Sequence, residues 1–169
     1  MEPVATTFFF YLLAGLAVLG GVLTITRRNP VHSALALILT LLAIAGLYLM
    51  LYAPFVAGVQ IILYAGGIMV LFLFVIMLVN LEKSQKEDQF NKQWVVGIVA
   101  AVALGGLFIG VYVKGQALFP EPHAHFVESE NTQKIADLLY GNYMLAFEIA
   151  SLLLLVAIVG AVVMAKKRI

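Results

Sequence analysis

The sequence predicts an all-α membrane protein: five transmembrane helices, with the amino terminus outside and the carboxy terminus inside. Three observations carry this reading. The chain of 169 residues is 63% hydrophobic and 11% charged, whereas a soluble domain carries about 25% charge. Five apolar runs each approach the ~20 residues that a helix needs to cross a bilayer. The positive charges collect in alternate connections between those runs, as the positive-inside rule requires of a polytopic chain.

The runs are taken in order. The first covers roughly Val4–Thr24 and ends at Arg27 and Arg28. Its leading stretch holds Glu2 and no Lys or Arg, and no small-residue cleavage pattern follows it. It is therefore expected to be a retained span and not a signal peptide. The second, Val31–Tyr52, follows Asn29-Pro30, where proline suits a first helical turn. Ala53-Pro54 forms a tight outer turn before the third run, Phe55–Leu81. The connection "EKSQKEDQFNKQ" is short, charged and solvated. The fourth run is Trp94–Val113 and the fifth Tyr143–Ala165. Between these lies an outer loop, 114–142, containing "NTQKIADLLYG". There Ile135, Leu138 and Leu139 share one helical face, behind the possible caps Asn131 and Thr132 and before Gly141, which predicts a short helix on the membrane surface. Residues 1–169 thus form a single polytopic domain, with no internal repeat.

The orientation follows from counting. Arg27 and Arg28, then Lys83, Lys86 and Lys92, then Lys166, Lys167 and Arg168 make eight of the ten basic residues, and all eight fall on one side of the alternation. The outer loop has Lys114 and Lys134 beside Glu121, Glu128, Glu130 and Asp137.

Several classes of chemistry are excluded or weak. With no cysteine, the chain offers no disulfide, no thiolate-held iron–sulfur cluster or zinc, and no covalent haem attachment. The pair Gly20-Gly21 lies inside a span and lacks the strand-to-helix setting of a nucleotide-binding loop. The small basic clusters are explained by topology, so no nucleic acid partner is expected. His123 and His125, in "HAH", would point the same way in an extended chain, but two histidines without a third ligand are read as solvated loop residues, and no metal is expected. His32, at the inner end of the second run, reads as interfacial.

Glu148 stands apart, as the one acidic residue placed within the hydrocarbon region, in "YMLAFEIASLLLLVAIVG". A carboxylate there costs about 2.5–3.5 kcal/mol on insertion scales, so it should face other helices or water. Three roles are open to it: a proton relay, a hydrogen-bond anchor to a neighbouring subunit, or a hydrated group near the outer interface. In the fourth run, Gly97, Ala101 and Gly105 recur every four residues, with Gly106 and Gly110 beside them. This small-residue stripe permits close helix approach, within this chain or to another.

The third run raises the sharpest question. It is uncharged, yet Gly66 and Gly67 follow Tyr64-Ala65 near its centre, and glycine costs about 1 kcal/mol relative to alanine in a water-exposed helix. Close packing, a kink, or an extra residue in one turn, a π-bulge, would each account for them. If such a bulge relaxed to plain α geometry, the large residues that follow, Ile68, Met69, Leu71, Phe72 and Phe74, would swing by about 100°.

The block "VQIILYAGGIMVLFLFVIMLVNLE" resembles the third helix of a family of small membrane-arm chains of respiratory complex I, the proton-pumping NADH:quinone oxidoreductase. That family comprises the bacterial subunit J and the mitochondrial NADH dehydrogenase subunit 6. Its pattern Tyr-Ala-Gly-Ala/Gly-Ile-Met-Val-Leu-Phe is matched from Tyr64 to Phe72. "NPVHSALALIL" resembles the start of the family's second helix, and "LYGNYMLAFEIASLLLLVAIVGA" is similar at Tyr143, Leu145, Glu148, Ala150 and Ser151. The fourth run and outer loop are less similar.

The resemblance implies a non-redox, multi-pass subunit of the bacterial inner membrane, with no cofactor of its own. FMN, iron–sulfur clusters and quinone are then expected in other subunits. The implied partners are the quinone-binding chain, small carboxylate-bearing chains, antiporter-like chains and lipid. It also implies a π-bulge at Tyr64, Ala65, Gly66 and Gly67, with Met69 and Phe72 in the moving segment, that gates a water path. Glu148 falls on an acidic position of the family. Two other roles compete with coupling: a helix bundle needed only for assembly, and an independent small transporter, which the lack of inverted repeats disfavours.

Overall fold

A computed structural model describes residues 3–79, 94–115 and 131–166. All of the regular structure in these residues is helical, and five helices are long and apolar enough to cross a membrane. Helix α1 spans Pro3–Thr26 and α2 spans Pro30–Met50. The third span, Pro54–Leu78, is composite: an α-helical start α3 (Pro54–Val59), a π-helical segment (Gln60–Ile68) and an α-helical end α4 (Met69–Leu78). Helix α5 is Trp94–Gly115, the short α6 is Asn131–Tyr140 and α7 is Met144–Ala165.

The connections have local causes. Asn29 caps α2, its side chain accepting from the Val31 N–H at 3.0 Å, and Pro30 occupies the first turn. At the other end α2 stops at Met50, two residues before the sequence reading had it. Ala53 N–H donates to the Tyr48 carbonyl and Tyr52 N–H to that of Leu49, the paired bonds of a Schellman ending. Tyr52 takes the left-handed position with φ 55°, where glycine is the usual occupant. The left-handed form costs an L-residue about 1–2 kcal/mol, less the entropy glycine loses on folding, about 0.5–1 kcal/mol. Tyr52→Gly is therefore expected to stabilise the α2–α3 hairpin by about 0.5–1 kcal/mol, read as a later midpoint in detergent denaturation. Helix α4 ends at Leu78, where Val79 is extended with ψ 129°, and the expected end at Leu81 lies outside the described residues.

Helix α2 is the hub. It packs against α1, against α3, against the π segment and against α4. Among the described residues the buried positions are Gly20 of α1, Ala34, Ala43 and Ala45 of α2, and Ala57, Ala65 and Met69 of the third span. A core made of alanines, a glycine and one methionine is what close backbone approach in lipid produces, where packing and not water exclusion holds helices together. The α1–α2 contact depends on two glycines. A Cβ on Gly20 would run into the Thr40 hydroxyl and lie 3.0 Å from the Ala36 carbonyl oxygen, and one on Gly46 would lie 2.9 Å from both methyls of Leu13.

The other spans contribute nothing to this core. Helix α5 packs against no other described element, and no residue of α5 or α7 is buried. The stripe Gly97, Ala101, Gly105 therefore meets no other described helix, and added Cβ atoms on Gly97, Gly105, Gly106 or Gly110 would meet nothing described within 4 Å. Among the described residues helix α7 is tied in only through α6, which packs on α3. Tyr140 of α6 and Phe147 of α7 meet edge to face, 5.2 Å between ring centres. The inward face of α6 is Ile135, Ala136 and Leu139, while Leu138 is 48% exposed, so one of the three residues assigned to its apolar face turns outward.

Candidate functional site

The third span is where the helix departs from α geometry. Within Gln60–Ile68 the ladder widens, and at its end the Met69 N–H reaches the Tyr64 carbonyl, five residues back. The π form covers nine residues, beginning four residues before Tyr64, and so exceeds the single extra residue that the glycine pair suggested. Its junctions are not strained: Val59, Ile68 and Met69 all keep right-handed helical dihedrals.

The glycines thus serve a different purpose from backbone freedom. No glycine of the described residues has positive φ. What Gly66 supplies is room. A Cβ there would lie 3.2 Å from the Ile61 carbonyl oxygen, five residues back, whereas one on Gly67 would lie 3.7 Å from that of Ile62, an ordinary contact. Neither would touch another helix, so close interhelix packing is not their role within this chain. Gly67→Ala is accordingly expected to be nearly neutral in assembly and activity, measured beside the wild-type complex.

The sequence-selected residues divide across two faces. Ala65 and Met69 are buried on the side that packs on α2. Tyr64, Gly66 and Gly67 lie on the open side, with Tyr64 48% exposed, while Phe72, 49% exposed, borders a groove beside Ala34 and Leu37 of α2. Tyr64, Ala65, Gly66 and Gly67 sit inside the π segment, while Met69 and Phe72 follow it in α4. Sequence reasoning passed over Gln60, the half-buried polar residue that opens the π segment. A lone amide within an uncharged run was the available signal.

Glu148 is the fifth residue of α7, about 6 Å along the helix from its start at 1.5 Å per residue. It is exposed, and Ser151 donates its hydroxyl to the Glu148 backbone carbonyl at 2.7 Å and not to the carboxylate. Since α7 packs only on α6, the structure does not bring Glu148 to the π segment. His32 is exposed in the first turn of α2, while His123 and His125 lie outside the described residues. Among the described residues no three His, Asp or Glu side chains gather as metal ligands would.

Fold and site together define a class: a multi-pass helical membrane subunit, incompletely packed on its own, with a π-helical interruption in a central span. The model of the family of NADH-ubiquinone/plastoquinone oxidoreductase chain 6 matches residues 20–164, and this chain belongs to that family. It is 40% identical to the NADH-quinone oxidoreductase subunit J of Pseudomonas aeruginosa, over 91% of this chain and 93% of the relative. It is 38% identical to the subunit J of Rhodobacter capsulatus, over 93% of this chain and 80% of the relative. With the NADH-ubiquinone oxidoreductase chain 6 of Chondrus crispus it shares 36% identity over 93% of this chain and 81% of the relative.

Proposed function

We propose that this chain is a membrane-arm subunit of a proton-translocating NADH:quinone oxidoreductase of the bacterial inner membrane. In this reading it helps couple quinone reduction to proton pumping through its third span. The observation that carries the reading is the π segment at Gln60–Ile68, in a chain of this family. Exchanging five-back for four-back hydrogen bonds keeps nearly every backbone group paired, so the two forms need differ by only a few kcal/mol, a gap that coupling can shift. The exchange turns the residues after the segment by about 100° and moves Phe72 and its neighbours to a new face.

The chain performs no redox step. FMN, iron–sulfur clusters and quinone are assigned to other subunits, consistent with a chain without cysteine. Its partners are the quinone-binding chain, small carboxylate-bearing chains and antiporter-like chains, with lipid on the remaining surface. The distribution of Lys and Arg supports an outer amino terminus and an inner carboxy terminus. Blue-native gels and quinone-dependent proton pumping, measured together on Tyr64→Phe and Gly66→Val, test the reading: an assembled complex with depressed pumping supports it.

A purely structural role is favoured by α5, which packs on no other described element, and α7, which packs on the short α6 alone among them; both offer apolar surface to neighbours. Glu148 belongs to that surface, and we assign it as an anchor to an adjoining subunit. Glu148→Ala is then expected to lower the yield of assembled complex more than Glu148→Gln, since losing both oxygens strands a buried donor at about 1–3 kcal/mol. Full assembly of Glu148→Gln with lost pumping would instead make this residue a proton relay.

A further inference from the structure

We propose that the backbone carbonyl of Ala65 binds a water molecule in the middle of the third span, at a site that only the π form opens. Counting along the ladder locates it. The Met69 N–H donates to the Tyr64 carbonyl, five residues back, and closes the π segment, which ends at Ile68. Helix α4 starts at Met69, so the next donor, the Val70 N–H, reaches four residues back to Gly66. The ladder thus steps from the carbonyl of Tyr64 to that of Gly66 and leaves out Ala65.

A bypassed carbonyl is tolerable in lipid only where protein or water satisfies it. The chain's own polar side chains nearby are placed elsewhere. Helix carbonyls point toward the carboxyl end, whereas Gln60 and Tyr64, the polar side chains of this span, stand on the amino-terminal side of Ala65. In α2 the Thr40 hydroxyl donates to the Ala36 carbonyl at 3.0 Å, and the Ser33 hydroxyl to that of Arg27 at 3.2 Å. Ala65 is buried on the side against α2, which favours the smallest donor, a water, over a side chain of another subunit. It lies eleven residues past Pro54, about 16 Å in at 1.5 Å per residue, near the centre of a ~30 Å hydrocarbon layer. The carbonyls of Tyr64 and Gly66 each keep a second lone pair, so the water's other hydrogen has acceptors beside it.

The site is tied to the form of the helix. In α geometry the Met69 N–H returns to Ala65, four residues back, and takes the place of the water. One donor, moving by one carbonyl, opens or closes a polar point at mid-membrane. This deepens the coupling reading and rests on it for the switching, though not for the site itself.

The test is a cryo-EM map of the assembled complex, at a resolution that shows water, for wild type, Met69→Thr and Met69→Val. Met69→Thr sets a hydroxyl on the carbonyl four residues back, as Thr24, Thr26 and Thr40 do with Gly20, Val22 and Ala36 at 2.8–3.0 Å. Met69→Val has nearly the same shape and no donor. Wild type and Met69→Val are expected to show a water about 2.8 Å from the Ala65 oxygen, and Met69→Thr to lose it. A π segment in the wild type whose Ala65 oxygen meets no water, or meets a side chain of another subunit instead, overturns the proposal and leaves coupling standing. Water that persists in Met69→Thr overturns it too. A third span that is α-helical throughout, with the Met69 N–H on Ala65, removes the site and the coupling reading together. Should the variants not assemble, the wild-type map decides alone. Proton pumping by Gly66→Val reports separately on coupling.

Discussion

Gly66→Val is expected to give an assembled complex whose quinone-linked proton pumping is strongly depressed. The reasoning is steric. Even a Cβ at this position lies 3.2 Å from the Ile61 carbonyl oxygen, tight enough that the carbonyl must yield, and valine adds two methyl groups at the most restricted rotamer of any helix residue. The segment can respond by opening further or by closing to α geometry, and either response redirects Phe72 by a fraction of the ~100° per residue that separates the two forms. The strain is local and faces away from α2, so the hub itself is left intact. The control is Gly67→Ala, whose Cβ has 3.7 Å of clearance and which should pump normally. Loss of the assembled band on a blue-native gel, with no pumping defect in whatever complex survives, would move the assignment to a purely structural one. Normal pumping by an assembled Gly66→Val complex would sink the coupling role outright.

Gly20→Leu is expected to have the largest effect on stability. The position is buried where α1 crosses α2, against the Thr40 hydroxyl and the Ala36 carbonyl. Thr40 cannot easily give way, because its hydroxyl donates to that same Ala36 carbonyl at 3.0 Å. Overpacking a fitted contact costs about 1–3 kcal/mol, and here it would splay α1 from the hub. The measurement is the amount of subunit retained in membranes after a chase, with Gly15→Leu as comparison. Gly15 has no atom within 4 Å of its would-be Cβ, so that variant should be retained as wild type.

The architecture was legible in the sequence because the signals for it are long. Twenty apolar residues in a row declare a span whatever its neighbours do, and Asn29-Pro30 and Pro54 mark their breaks in the letters themselves. Ends were less legible. Tyr52 reads as helical by composition, but it is turned left-handed by the Schellman bonds, and α4 gives way to an extended Val79 within an unbroken apolar run. The glycine pair announced an irregular turn at Gly66, yet the four π residues before Tyr64 are apolar or polar in no distinctive order, so the segment's length could not be read. Helix partners were the least visible. Of the pair Gly20-Gly21, Gly20 alone proved to be half of a tight interhelix contact, while the more regular stripe from Gly97 to Gly110 meets no other described element. A small-residue pattern says that a neighbour comes close; it carries no address for that neighbour.

The isolation of α5 and α7 bears on how the chain is made. Once the ribosome has released them, two greasy rods would drift in the bilayer, tethered to the hub only by α6 and the connecting chain. A surplus copy, synthesised without its companions, would present that loose surface to membrane proteases and insertases. Its lifetime in the cell should then be set by how promptly sister polypeptides arrive, and production in matched stoichiometry becomes a physical requirement.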